Sequence, residues 1–282
     1  MENNSIMIRN IEDASLLNNG IKMPWLGYGV FKIPDDHHVE HAVQAALEIG
    51  YRGIDTATVY GNERGVGKAI RESGVPREHI FLSTKVWTDD MRKNRVPEAF
   101  EESLERLQTD YVDLYMIHWP VKGCYIETWQ VMEAIYLSGC AKAIGVSNCL
   151  VHHLETVLHN SEIVPMVNQV EFHPLLVQPE LLKFCQSQGI QMQAASPLMR
   201  GHILTEVTVQ KMAEKYYKTP AQIVLRWDLQ HEVAAIPKSV HVDRIVENIK
   251  IFDFEISEED MKILDALDEG KRIGSHPDHF TY

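Results

Sequence analysis

IFLSTKVWTDDMRKNRVPEAFEESLERLQTDYVDLYMI, residues 80–117, decides the fold. Its ends, Ile80 to Lys85 and Val112 to Ile117, are short apolar runs of β type. Between them VPEAFEESLERLQ (96–108) repeats its apolar residues at the helical spacing. Strand, helix, strand is a crossover unit, and strands apolar over their whole length belong to a parallel sheet covered on both faces or closed into a barrel.

The same rhythm extends in both directions. Leu26 to Val30, Gly53 to Asp55, Ala143 to Val146, Met166 to Val170, Ile190 to Ala194 and Val233 to Ile236 are further strand runs. VEHAVQAALEIGY, ETWQVMEAIYLSG and PAQIVLRWDLQ are further helical ones. About eight units, with no Pro/Gly/Ser-rich linker, predict an α/β fold of one closed (β/α)8 barrel spanning 1–282 rather than two doubly wound domains. The Asn-Asn-Gly signal in LLNNGIKMPWLG predicts a β-hairpin ahead of the barrel. ISEEDMKILDAL predicts an extra C-terminal helix capped by Ser257, and the polar tail GKRIGSHPDHFTY is placed over the barrel mouth.

The chain has 282 residues and a formal net charge of −13, which argues against a nucleic-acid backbone or an anionic membrane as the main partner. Its four cysteines form no C-x-x-C pair and read as reduced, mostly buried small hydrophobes. MENNSIMIRN has no apolar stretch behind basic residues, and no run of 18 apolar residues occurs, so a soluble cytoplasmic protein is expected.

Several familiar sites fail. Gly27 and Gly29 begin a dinucleotide-binding pattern, but Lys32 stands where its third glycine belongs. GNERGVGKA is one residue out of register for a phosphate loop, and Ala69 replaces the metal-holding hydroxyl. The pairs His37, His38 and His152, His153 sit at helix starts, where adjacent side chains diverge by about 100°, so solvated surface and no metal site are expected. No G-x-S-x-G elbow exists, and Ser196-Pro197 lacks its glycines.

Active sites of such barrels form at the C-terminal strand ends. Those ends carry Asp55 and Tyr60, then Lys85, then His118, followed by Ser147, Asn148, Gln169, Ser196, Lys238 and Ser239. The first four are chemically consistent with one another. A phenol is a weak acid unless a nearby cation favours its phenolate. Lys85 can supply that cation, Asp55 can hold the lysine charged, and His118 can bond a substrate carbonyl.

Over nearly its whole length the chain resembles the aldo-keto reductase family. The resemblance lies in GIKMPWLGYGVF, YRGIDTATVYGNE, FLSTKVW, DLYMIHWP, AIGVSNC, MVNQVEFHP, SPLMRG and IPKSVHVDRIVENIKIFDFEIS. It implies that Asp55, Tyr60, Lys85 and His118 form a catalytic tetrad reducing aldehydes and ketones with NADPH, which is oxidised to NADP+. It also implies that Ser147, Asn148 and Gln169 hold the nicotinamide carboxamide. Lys238, Ser239 and Arg244 would grip the 2′-phosphate, with Glu247 and Asn248 near the adenine. Val30, Phe31, Ala195, Ser196, Pro197, Leu198, Arg200 and Val240 complete the implied cofactor set. Trp25, Phe31, Val59, Trp87, His118 and Trp119 form the implied substrate wall, and small carbonyl compounds and a monomeric state are expected.

Ala195 departs from the family pattern, which has an aromatic residue stacking on the nicotinamide there, so a widened site is expected. Cys149 and Arg200 are lesser departures. The short tail with Arg272 resembles the bacterial branch that includes glyoxal, methylglyoxal and diketogluconate reductases, and Arg272 reads as a contact for an anionic substrate or as a loop anchor. The competing function is a redox-sensing subunit that binds NADPH with little turnover.

Overall fold

A computed structural model describes residues 8–280 of the chain. Residues 1–7, on which part of the leader expectation rests, and the last two residues of the tail lie outside the described part. A hairpin of β1 (Ala14–Leu16) and β2 (Lys22–Pro24) comes first, with Gly20 left-handed at φ +86° in its turn. Eight parallel strands follow in sequence order: β3 (Gly27–Gly29), β4 (Gly53–Asp55), β5 (Phe81–Val86), β6 (Leu114–Ile117), β7 (Ile144–Ser147), β8 (Val167–Glu171), β9 (Gln191–Ala195) and β10 (Ala234–Ala235). A parallel bridge between Leu26 and Ala235 closes the sheet on itself, with the Ala235 N–H donating to Trp25 O at 2.8 Å. The (β/α)8 barrel, its hairpin and its final helix (Glu258–Asp265, capped by Ser257) are those the sequence predicts.

Apolar helix faces build the shell. Helix Val96–Leu107 buries Val96, Ala99, Phe100 and Leu107, and helix Pro220–Gln230 starts from Thr219, which caps the N–H of Gln222. Of the glycines of the failed phosphate loop, Gly61 is left-handed in a turn, and Gly65 and Gly67 have a packing role. A Cβ on Gly67 would stand 2.3 Å from Leu107 O, and one on Gly65 2.4 Å from Val39, so helix Glu63–Glu72 lies against both neighbouring helices without room for a methyl group. Gly27 and Gly29 likewise face Ile236 across the closing seam, at 3.1 Å from any added Cβ.

Cys149 and Cys185 are buried, with burial pushing both thiols up, and Cys124 and Cys140 are half-buried; none is in a disulfide. Among the described residues no helix is long and apolar enough to cross a membrane. Gly67→Ala is expected to destabilise the protein by about 1–3 kcal/mol through overpacking, measured by urea unfolding.

Candidate active site

Asp55 ends β4 and Lys85 lies near the end of the neighbouring β5. The two strands pair with Asp55 opposite Ser83, which sets the lysine one pleat higher on the same interior face. Lys85 is fully buried, and its Nζ donates to Asp55 Oδ1 at 2.7 Å, Asp55 Oδ2 at 2.9 Å and Thr56 O at 2.8 Å. Ser83 Oγ and Gln169 Nε2 each donate to Asp55 Oδ2 at 2.9 Å. A buried ion pair is tolerable only when its remaining hydrogen-bonding capacity is filled, and here both partners are filled.

Tyr60 sits in the short 3₁₀ turn Thr58–Tyr60 after β4, with the Lys85 Nζ 5.3 Å from its ring centroid. In the resting site the lysine does not draw the phenol toward its phenolate. Burial, followed by the Asp55 charge, pushes the Tyr60 phenol well above its ordinary range, while Asp55 and Thr56 engage the ammonium. The phenol therefore keeps its proton. His118, after β6, stands edge-on to Tyr60 with centroids 5.6 Å apart. Burial and then the Lys85 charge hold its imidazole well below the ordinary histidine range, so it is neutral, and its Nδ1 has no partner among the described residues.

Ser147 closes β7, and Asn148 follows in the left-handed region at φ +60°. Asn148 Nδ2 spends both protons on His118 O (2.9 Å) and Ser147 Oγ (3.1 Å). Gln169 Nε2 spends both on Asp55 and on Gln193 Oε1, the latter at 2.7 Å. The oxygens of the Asn148 and Gln169 amides have no partner among the described residues, and the Ser147 hydroxyl keeps its proton to donate. Two acceptors beside one donor are the complement of a primary carboxamide.

The remaining expected residues divide. Phe31 is exposed, its ring 5.0 Å from that of Tyr60, and Val59 is exposed beside it. Trp87 meets His118 edge-on at 5.1 Å. Ala195 and Ser196 are half-buried at the end of β9, Pro197 is buried, Leu198 half-buried, and Arg200 exposed at φ +54°. Lys238, Val240 and Arg244 are exposed, whereas Ser239 and Asn248 are buried. Ser239 Oγ accepts the His241 N–H, and Glu247 accepts from Thr219.

Three expectations fail. Trp25 precedes β3, at the opposite end of the barrel from these groups, and is 1% exposed, so it is core rather than substrate wall. Val30 is wholly buried, its N–H spent on Asp55 O and its carbonyl on Asn62 and Ile33, which leaves a ligand no surface. His153 is buried rather than solvated, and it and His152 converge on Asp278 Oδ1 at 3.3 and 2.9 Å. His153 Nδ1 accepts the Leu150 N–H at 3.1 Å, so Nε2 carries the proton toward Asp278 and no lone pair remains for a metal. Burial, then His152, pushes its pKa down to about 4.

Two residues were missed. Lys32, directly after Phe31, lies close enough to Lys238 that its charge lowers the Lys238 pKa further, after burial. Among the described residues neither lysine has a carboxylate within 4.0 Å, and Lys32 Nζ lies 5.5 Å from the Phe31 ring centroid, so unpaired positive charge stands at the mouth. Phe280 stacks on Trp119 at 3.9 Å and meets Trp87 edge-on at 6.0 Å, completing an aromatic wall. It was legible as the single apolar ring in a polar tail placed over the mouth. Glu171 pins that tail by accepting the N–H groups of Ile273 (2.7 Å) and Gly274 (2.9 Å). Arg272 donates to Gln178 Oε1 at 2.7 Å, which makes it a loop anchor.

The sequence and the fold both have known relatives. The profile of the aldo/keto reductase family matches residues 25–269. The chain is 52% identical over 276 residues to glyoxal reductase of Bacillus subtilis, covering 98% of this chain and all of that one. It is 43% identical over 268 residues to methylglyoxal reductase DkgA of Salmonella typhimurium, covering 94% of this chain and 96% of that one. A crystal structure of an aldo-keto reductase from a Medee basin deep-sea metagenome library superposes with a TM-score of 0.92 at 44% identity, covering 95% of this chain and 100% of the other.

Lys85→Met is expected to cost about 3–5 kcal/mol of stability at neutral pH, because it leaves the Asp55 carboxylate buried without its counter-ion. The double variant Asp55→Asn, Lys85→Met should recover part of that loss in the same denaturant titration.

Proposed function

The chain belongs to the aldo/keto reductase family, and from that premise we propose that it reduces aldehydes and ketones, short dicarbonyl compounds among them, with NADPH. The observation that carries the reading is the filled Asp55–Lys85 pair beside Tyr60 and a neutral His118 at the C-terminal strand ends. The names of the glyoxal and methylglyoxal reductases support the dicarbonyl class.

The donor set fits the cofactor. Ser147 Oγ–H would donate to a carboxamide oxygen while the Asn148 and Gln169 oxygens accept its N–H groups. Lys238, Ser239 and Arg244 would hold the 2′-phosphate, with Lys32 and Arg200 adding positive charge along the rim. Paired cations facing one phosphate favour NADPH over NADH. Phe31, Ala195, Ser196, Pro197 and Leu198 would flank the nicotinamide, and Glu247 and Asn248 the adenine. Ala195 leaves the space of an absent aromatic ring, which widens the pocket. When bound there, the reduced nicotinamide would supply hydride for the carbonyl carbon.

The chain's own residues handle the oxygen. Tyr60 O–H and the neutral His118 donate to it, and both bonds strengthen as negative charge develops in the transition state. Tyr60 then gives up its proton, so the product is the alcohol and the phenolate forms beside a cation. Lys85 is positioned to stabilise that phenolate, and Asp55 keeps the lysine charged and fixed. Phe31, Val59, Trp87, Trp119 and Phe280 form a largely apolar wall that excludes water and favours compact substrates.

Oxidation of NADPH with methylglyoxal tests the reading: Tyr60→Phe is expected to lower turnover by about 10²–10⁴-fold while NADPH affinity stays near that of the parent. Near-parental turnover would refute it, and NADPH binding without any carbonyl reduction by the parent would favour the redox-sensing subunit. The pH profile of reduction carries its own expectation. His118 is held below 6.5 and neutral, so no acidic limb arises from it near that value. The Tyr60 phenol is held above 10.0, so the alkaline fall should follow Lys85, whose pKa burial lowers from 10.5.

A further inference from the structure

Gln193 lies on β9 inside the barrel, 4% exposed and below the candidate site. It borders a small cavity, shared with Met23, Gly27, Gly53, Asp55 and Ser83, that has room for about one water. Its Oε1 accepts one Gln169 Nε2 proton at 2.7 Å, and Asp55 Oδ2 accepts the other at 2.9 Å. An amide nitrogen has two protons and no more. Gln169 therefore has no donor left for a ligand, and its unpartnered oxygen is the end that meets one. The reverse orientation would set that oxygen against both the Asp55 carboxylate and the Gln193 carbonyl. Gln193 is itself oriented, because its own Nε2 rests 3.9 Å from Met23 Sδ, a weak acceptor.

We infer that Gln193 is a positioning residue: through Gln169 it makes the nicotinamide site an acceptor of a carboxamide N–H, so that pyridine nucleotides lacking that N–H are bound more weakly. The inference rests on the cofactor reading above. Asp55 alone holds the Gln169 amide at one point and Gln193 supplies the second; without Gln193 one buried N–H loses its acceptor and the amide can rotate as a whole plane, so that its nitrogen as well as its oxygen can face the ligand and meet a ketone oxygen. Gln193 has no contact with substrate or cofactor in this arrangement and acts only through its neighbour.

The test is equilibrium binding rather than turnover. NADP+ and its 3-acetylpyridine analogue, in which a methyl ketone replaces the amide, are titrated calorimetrically into the full-length parent, Gln193→Leu and Gln193→Glu. The parent is expected to bind the analogue about five- to tenfold more weakly than NADP+. Gln193→Leu should shrink that ratio about threefold or more, while Gln193→Glu, which keeps an acceptor oxygen, should retain it. Gln193→Met replaces the leucine variant if melting curves show the latter unfolded. A parental ratio near one, or the same ratio in every variant, would overturn the role. A parent that binds neither nucleotide would instead overturn the cofactor reading, and this role with it.

Discussion

One ion pair organises this molecule. A lysine with no solvent exposure, inside a barrel, is stable only against a fully matched counter-charge, and Asp55 supplies it with two contacts while Thr56 O takes the third ammonium proton. The carboxylate in turn draws in Ser83 from below and Gln169 from the opposite wall. The pair thus ties β4, β5 and β8 together across the barrel interior. The same carboxylate turns the oxygen of Gln169 away from itself, and burial, reinforced by the lysine charge, keeps His118 neutral. Stability and the character of the mouth have one source.

Much of this was legible in the sequence because the governing signals are local. Each strand run and helical period lies within a few residues, and strand ends put Asp55, Lys85, His118 and Ser147 on one rim by alternation alone. Trp25 and Val30 were carried over from the resemblance rather than read from the local pattern, and burial at 1% and 0% removes both from any ligand surface. The adjacent histidines were read as divergent from ideal helix geometry, but His153 folds back to cap Leu150 and comes within 4.0 Å of the His152 ring centroid. Phe280 and Gln193 depend on contacts across most of the chain, and the orientation of an amide exists only once its neighbours are in place.

The tail shows how a polar, aperiodic segment acquires a defined path. The Glu171 carboxylate, at the end of β8, accepts two successive tail N–H groups, Asp278 meets the histidines at the start of helix Val151–His159, and Phe280 lands flat on Trp119. Three separate clasps hold about ten residues against the mouth, and the aromatic contact is worth about 0.5–1.5 kcal/mol beyond its buried area. The global charge of −13 is compatible with an anionic cofactor because the field at the rim is local, with Lys32 and Lys238 close together and no carboxylate within 4.0 Å of either among the described residues.

On the proposed function, Ser147, Asn148 and Gln169 would fix one orientation of the nicotinamide ring above the Asp55–Lys85 pair. The most direct measurement is the fate of deuterium when the parent reduces methylglyoxal with NADPH labelled stereospecifically at either position of C4, followed by mass spectrometry of the alcohol. Label from one of the two positions is expected to appear essentially completely in the product, while label from the other remains on the oxidised nucleotide. Transfer from both positions in comparable amounts would contradict it.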